Sequence, residues 1–541
     1  MYDHIKSILT EAIGCEVVLE RPKNKEYGHF ATPVAFSLAK IQKQSPQHIA
    51  TELCKKLATY KEFAKVSEMK GFINLTLSYE FLLSSMDLAL DSALKPRAAK
   101  QPQTILLEYV SANPTGPLHI GHARGAVLGD SLQKLGNYLG HKIVSEYYIN
   151  DAGAQIKKLG YSVYLAGREI FLHEQVEYDE DCYKGEYIVE IAKAAHKALG
   201  AQVFDDTTSL PHLSEFAKDL MLEEIKQNLA SAGIVFDSFV SERALFSQWQ
   251  ETLALLQANN GVRKEGDKLW LLSSHKGDEK DRVIVREDGE PTYLAGDIIY
   301  HRDKFMRGFE HYINIWGADH HGYIARIQAS ISYLGYDAKK LEVLLAQMVS
   351  LLKNGKPYKM SKRAGNFILM RDVVSDIGAD SMRFVFLSKK PDTHLEFDVS
   401  NLTTQDSNNP VFYINYANAR IHTLLSKSKF ASKQDSVSFS LQDQDLVALQ
   451  NGGDLGVIKA FELAFEAMLL PRVAQMAWEE RSLQKICEYL KSLAGSFHTF
   501  YNAHKIIDSP QETLYLKVAK LTSLALSVGL SLLGIEAKTK M

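Results

Sequence analysis

The chain has 541 residues, 46% of them hydrophobic and 23% charged, and 62 basic side chains against 65 acidic ones give a net charge of −3. That length exceeds one ordinary domain and suggests about three or four, in a composition typical of globular proteins. Near-neutrality excludes binding of nucleic acid by global electrostatics, so any such binding must come from local patches.

The N-terminus, Met1-Tyr-Asp-His-Ile-Lys6, lacks the basic-then-apolar order of a secretory signal, and no apolar run approaches the roughly 20 residues of a membrane span. A cytoplasmic protein without a membrane partner is expected. Cys15, Cys54, Cys182 and Cys487 are far apart with no C-x-x-C pair, so they read as free thiols, with neither a disulfide framework nor a protein metal site.

Residues 1–95 read as a small α/β module, with Ser45-Pro46 opening a helix and Gly71–Ser78 as an alternating strand. A polar link at 95–103 leads to a buried strand, Thr104–Val110. Apolar positions Leu118, Val127, Leu128, Leu132, Leu135 and Leu139 then recur mostly at helical spacing, and 141–149 is a second strand. This makes the first βαβ unit of a doubly wound parallel sheet. The stretch 151–280 reads as a helical insertion with an acidic turn at Glu177, Asp179, Glu180 and Asp181. The second half opens near Asp281–Tyr293, where Asp288-Gly289 signals a hairpin, and continues through a strand at Tyr312–Trp316 into Gly317-Ala-Asp-His-His-Gly322. From about 370 to Met541 the pattern is almost wholly helical.

Chemistry concentrates at two places. Ser111-Ala-Asn-Pro-Thr-Gly-Pro-Leu-His-Ile-Gly-His122 joins the first strand to its helix, which puts backbone N–H groups and a helix N-terminus where a phosphate could sit. Gly121, lacking Cβ, would let a flat purine approach the backbone. The second place is a basic segment containing Lys353, Lys356, Lys359, Lys362, Arg363 and Arg371, opposed by Asp372. It reads as a solvated basic loop or as a mobile loop following a triphosphate, since a lysine ammonium on a flexible stem suits that task. Asn354-Gly355 and Gly365-Asn366 flank it.

The phrase Ala112 to His122 resembles the signature of class I aminoacyl-tRNA synthetases in its arginyl version, and Lys359-Met-Ser-Lys-Arg363 resembles their second element. Further likenesses, in the expected order, span essentially the whole chain. The resemblance implies a multidomain α/β protein. Residues 1–95 would be a tRNA-contacting domain, 104–370 a doubly wound parallel-sheet catalytic domain with its insertion at about 151–280, and 371–541 an all-α anticodon-binding domain. It implies ATP as a substrate, held by Ala112, Asn113, Pro114, Thr115, Gly116, Pro117, Leu118, His119, Ile120, Gly121, His122, Met360 and Ser361. His119 and His122 would donate to phosphate oxygens in the transition state, Lys359 and Lys362 would neutralise pyrophosphate, and Mg²⁺ would share the charge. Glu108, Tyr293 and Asp297 would face the arginine side chain, while Ser111 and Asn113 hold its α-amino group. Partners would be tRNA(Arg), ATP and L-arginine, in a monomer that activates arginine only with tRNA present.

Gly378–Arg383 and Asn409–Arg420 resemble the start of the anticodon-reading region, with Tyr416 and Arg420 as tRNA contacts. Tyr413 and Tyr416 share a helix face, and core packing explains them equally well. Val518-Ala-Lys520 and Ala537–Met541 depart from the family pattern. Alternatives are another class I synthetase, a small-molecule nucleotidylyltransferase or a non-catalytic tRNA-binding paralogue. Cysteinyl enzymes need zinc-binding cysteines missing here, and a glutamate pocket would need basic residues where Glu108 and Asp297 stand.

Overall fold

The computed structural model describes residues 1–96, 101–357, 368–429 and 454–541. Five strands lie at its centre in the order Leu341–Ala346, His311–Gly317, Thr104–Glu108, Lys142–Ile149 and Ser238–Ser241, each parallel to its neighbour. Ile105, Leu106 and Leu107 are all buried, because helices cover both faces of the sheet. From Thr104–Glu108 the chain first builds outward through Lys142–Ile149 and Ser238–Ser241, then crosses to the other side with His311–Gly317. Such a switch point leaves a crevice beyond the carboxyl ends of the strands. The turn carrying the two histidines opens there.

The expectation of helix throughout 151–280 needs correction. Helices Ala154–Phe171, Glu186–Leu199 and Leu210–Ser231 enclose their own core of Leu159, Val163, Ile191, Leu213 and Met221. The chain then returns to the central sheet at Ser238. Val262–Glu265, Lys268–Leu271 and Arg282–Val285 form a separate antiparallel sheet. Four-residue strands carry too little alternation to be read from sequence. Asp288-Gly289 does occupy the turn where Val285 bridges Pro291, with Gly289 at φ 82°.

The region after 370 is likewise not wholly helical. Leu395–Asp398 runs parallel to Val349–Lys353, which turns back onto Lys356–Pro357 through Asn354 and Gly355, both left-handed at φ 53° and 72°. The Asp398 carboxylate accepts the Gly355 N–H at 2.6 Å and the Asn354 N–H at 3.2 Å. The stem of the basic loop is therefore a tied hairpin. Lys359, Met360, Ser361 and Lys362 lie outside the described residues.

In the N-terminal module, Phe72–Leu77 is the middle strand between Phe30–Thr32 and Phe63–Met69, and Ser45 caps the helix Pro46–Leu57 by accepting the His48 N–H at 3.2 Å. The helices Pro410–Lys427, Leu455–Ala467, Leu470–Glu479, Gln484–Ala503 and Glu512–Leu532 pack at the other end of the chain. Glu512–Leu532 is, against the sequence expectation, long and apolar enough to cross a membrane by length and composition, but 72% of its apolar window is buried as bundle core.

Polar contacts at several places join these parts. The N-terminal module rests on the helical bundle, where the Arg21 guanidinium lies 5.6 Å over the Phe465 ring and pairs with Glu466, while Lys25 reaches Glu462 at 3.0 Å. Arg383 is fully buried between three elements. It donates to the Leu533 carbonyl at 2.7 Å, to the Ala232 carbonyl at 2.9 Å and to Asp130 on the helix Ile120–Tyr138. A buried guanidinium is tolerable only with such complete pairing.

Candidate active site

The turn after Thr104–Glu108 is strained. Val110 and Ser111 adopt φ 69° and 41°, a region that costs a non-glycine residue on the order of 1–3 kcal/mol. Side chains hold it in place: the Ser111 hydroxyl donates to Glu108 Oε1 at 2.8 Å and accepts the Tyr148 N–H at 3.2 Å. Further along, the Tyr147 hydroxyl donates to the Ala112 carbonyl at 2.7 Å and Asn113 Nδ2 to Gln155 Oε1 at 2.7 Å. The Tyr187 hydroxyl, from the inserted helices, donates to the Thr115 carbonyl at 3.2 Å and lies over Gly116. Beyond Pro114 and Pro117, a backbone bridge pins the turn to the segment leaving the basic loop. Ile120 N–H donates to the Ile368 carbonyl at 2.8 Å and Met370 N–H to the Leu118 carbonyl at 2.9 Å.

His119 and His122 stack with ring centroids 3.7 Å apart. Nδ1 of His119 accepts the Gly121 N–H at 3.1 Å, and Nδ1 of His122 accepts the His119 N–H at 3.4 Å. Each neutral ring therefore carries its proton on Nε2, where it is a donor. Burial keeps both neutral, lowering His119 and pushing His122 down to about 3 with help from its neighbour. The role read for Gly121 changes: a Cβ there would lie 3.0 Å from the His119 ring, so the bare position makes room for the histidine itself.

The carboxylates separate into two groups. Glu108 aligns with Asn314 on one side and Glu146 on the other, and Glu146 aligns with Ser238. This polar rung faces the helix Tyr293–Met306. Lys304 reaches Glu108 at 2.5 Å and Asn314 at 2.8 Å, Arg307 reaches Glu146 at 2.5 Å, and the Tyr300 hydroxyl donates to Glu146 at 2.8 Å. Both charges are thus met by the protein. Asp297 is placed differently: among the described residues it accepts one side-chain hydrogen bond, from the Tyr323 hydroxyl at 2.6 Å, and burial raises it to about 6 against the pull of Tyr323 and the more distant Lys304. Tyr293, one turn earlier, is 51% exposed beside Gly153.

Glu242 was not singled out from the sequence. It follows the edge strand and opens a short helix, so it reads as an ordinary acidic first-turn residue. In the fold it is 5% exposed, its Oε2 has no partner, and burial with Asp297 and Asp151 raises it to about 7. Gly296 permits this approach, since a Cβ there would lie 2.3 Å from Glu242 Oε1. No motif marks the residue. It is found only because the fold sets a buried acid near Asp297 without a cation.

On the helical bundle, the Arg420 guanidinium lies 4.8 Å over Tyr416 and 4.7 Å over Tyr501, and His498 stacks on Tyr416 at 5.6 Å. Tyr416 is 39% exposed, whereas Tyr413 packs against His498 and the bundle core.

A strand–turn–histidine-helix unit at the switch point of a parallel sheet, followed by a helical bundle, defines a class I aminoacyl-tRNA synthetase. Residues 2–77 match the family described as arginyl tRNA synthetase N terminal domain, 85–407 the class I (R) tRNA synthetase catalytic domain, and 414–541 the DALR anticodon binding domain. The chain is 57% identical over 541 residues to an arginine–tRNA ligase of Wolinella succinogenes, covering 100% of both. A solved arginyl-tRNA synthetase structure from Campylobacter jejuni is 52% identical with a TM-score of 0.78, covering 86% of this chain and 100% of that one. The Thermus thermophilus arginyl-tRNA synthetase, at 20% identity and TM-score 0.74 with 100% of both chains covered, shares the fold. The chain belongs to the arginyl-tRNA synthetase family, and its activity is the ATP-dependent ligation of arginine to tRNA.

Proposed function

We propose that the crevice beyond the sheet brings ATP to the signature turn and the arginine side chain to Glu242 and Asp297. The observation that carries this reading is the buried Glu242 beside the half-buried Asp297, neither in an ion pair among the described residues, because a planar guanidinium is best met by carboxylates offering bidentate acceptors. Tyr293 would close the rim of this pocket, and Ser111 and Asn113 would hold the α-amino group. Glu108, paired with Lys304, would fix the Ser111 turn from below.

An arginine carboxylate oxygen attacks the α-phosphorus of ATP, forming an O–P bond as pyrophosphate leaves. The terminal adenosine 2′-hydroxyl of tRNA(Arg) then attacks the acyl carbon and AMP leaves. The substrate carboxylate is already a nucleophile, so the protein contributes position and charge stabilisation. His119 and His122 donate from Nε2 to phosphate oxygens, and residues Ala112 to His122 hold the nucleotide. By the family resemblance Lys359 and Lys362 would neutralise pyrophosphate, and Met360 and Ser361 would belong to the ATP site. Mg²⁺ would arrive on the triphosphate: the turn offers imidazole and backbone donors, whereas Mg²⁺ takes oxygen ligands.

Residues 1–95 and 371–541 would grip the tRNA at either end of the catalytic unit 104–370, with Tyr416 and Arg420 stacking on unpaired bases. The protein would act as a cytoplasmic monomer. A charging assay with twenty amino acids and total tRNA should show arginine alone. Arginine-dependent pyrophosphate exchange should require added tRNA, and exchange without it would refute that coupling.

A further inference from the structure

We propose that the Tyr148 hydroxyl is a third oxygen of the guanidinium pocket, accepting one substrate N–H while donating its own proton to Glu242 or Asp297. This assignment rests on the arginine reading above. Glu146 and Tyr148 are two apart on Lys142–Ile149, so both face the helix Tyr293–Met306. Glu146 meets Tyr300 and Arg307. Tyr148 stands one step nearer the carboxyl end of the strand, where the crevice opens, and its ring lies flat on Tyr300 at 4.1 Å and 15°. Its backbone N–H is tied to the Ser111 hydroxyl, so the strained turn fixes its position.

Tyr148 is 6% exposed and its hydroxyl has no hydrogen-bond partner among the described residues. Buried hydroxyls are normally paired, and each exception calls for a reason. Four carboxylates bear on this one, Glu242, Asp297, Glu108 and Asp151, and with burial they keep it a protonated donor. Two of the four are already engaged: Glu108 by Lys304 and Ser111, Asp151 by the Ser241 hydroxyl at 2.7 Å and the Arg243 N–H at 3.0 Å. That leaves Glu242, whose Oε2 is also unpartnered, and Asp297, which has the Tyr323 hydroxyl on one oxygen. An unpaired donor and an unpaired acceptor thus lie within electrostatic reach of each other. A guanidinium presents five N–H donors in a flat fork, more than two carboxylates engage edge-on, and a third carboxylate would leave excess negative charge. A neutral oxygen answers both requirements.

Tyr148→Phe removes that oxygen and keeps the ring on Tyr300. In steady-state charging, the arginine KM should rise about 10- to 100-fold, the usual loss when a charged group forfeits one hydrogen bond, with the ATP KM and melting temperature unchanged. An arginine KM within twofold of wild type overturns the proposal. So does an equal rise in the ATP KM, which would mean that Tyr148 acts on the signature turn through Ser111. Wild type and Glu242→Gln run alongside. An arginine KM unchanged in Glu242→Gln would overturn the underlying reading, whereas a raised KM there with an unaltered Tyr148→Phe removes only the Tyr148 assignment.

Discussion

Glu108 and Glu146 on one side, and Glu242 and Asp297 on the other, are acids gathered around the same helix, Tyr293–Met306, yet they differ in what answers them. The first pair has Lys304 and Arg307. Among the described residues the second pair forms no ion pair: Asp297 accepts from a tyrosine hydroxyl, with Lys304 acting on it from further away, and Glu242 leaves an oxygen unpartnered. Burying a carboxylate without a counter-charge is costly, so it persists where a ligand supplies that charge. The contrast separates residues that hold the sheet together from the residues proposed to meet the arginine side chain.

The strongest way to break the contrast is Lys304→Met, which strips the first pair of its cation. Leaving Glu108 charged and buried should cost about 3–5 kcal/mol, read as a lower urea midpoint, and a loss under 1 kcal/mol would deny Lys304 that role.

Glu242→Gln acts on the second pair and should do the reverse. Its carboxyl rises from 4.5 to about 7 on folding and Asp297 from 3.8 to about 6, so the neutral forms favour the folded state. Stability they contribute is present at low pH and is lost as pH rises through about 4 to 7. The ligand-free Glu242→Gln variant should lose less stability across that window than wild type, while its arginine KM rises at least 100-fold, the order expected for removing one charged partner of a cation. By the same linkage, arginine should bind wild type more tightly at pH 8 than at pH 5.5 with release of protons, and calorimetry in two buffers of different ionisation enthalpy would expose a flat profile. Asp297→Asn should also raise the arginine KM sharply, and an unchanged value removes it from the pocket.

His122→Ala should lower the activation rate about 100-fold, as loss of one oxyanion donor does, with ATP affinity little altered. Since His122 is held near 3, the ratio of variant to wild-type rates should stay constant from pH 6 to 8. Equal losses in rate and ATP binding would contradict the role. The smallest effect belongs to Tyr187→Phe, which removes one hydrogen bond from the inserted helices to Thr115 and is worth about 1 kcal/mol. It should cost a few-fold in activation rate at low ATP, and no change would leave the insertion without a hold on the signature turn.

Much of the frame was legible because its signals are local. Thr104–Glu108, Ile120–Tyr138 and Lys142–Ile149 lie where the apolar pattern puts them, since a strand and an amphipathic helix each write their own period. Ser238–Ser241 and Leu395–Asp398 were not, because four-residue strands depend on distant partners rather than on their own pattern. Among site residues, Asn113, His119 and His122 come from one contiguous phrase. Glu242 and Tyr148 come from single residues whose meaning depends on what surrounds them.

The sequence by itself determined the order of the parts, the strand–turn–helix proposed to bind phosphate and the family, because each is written in consecutive residues of fixed spacing. Only the tertiary structure decided which carboxylates are neutralised and which are left bare. Electrostatic pairing is a matter of neighbours in space, and Lys304 lies 196 residues from Glu108 along the chain.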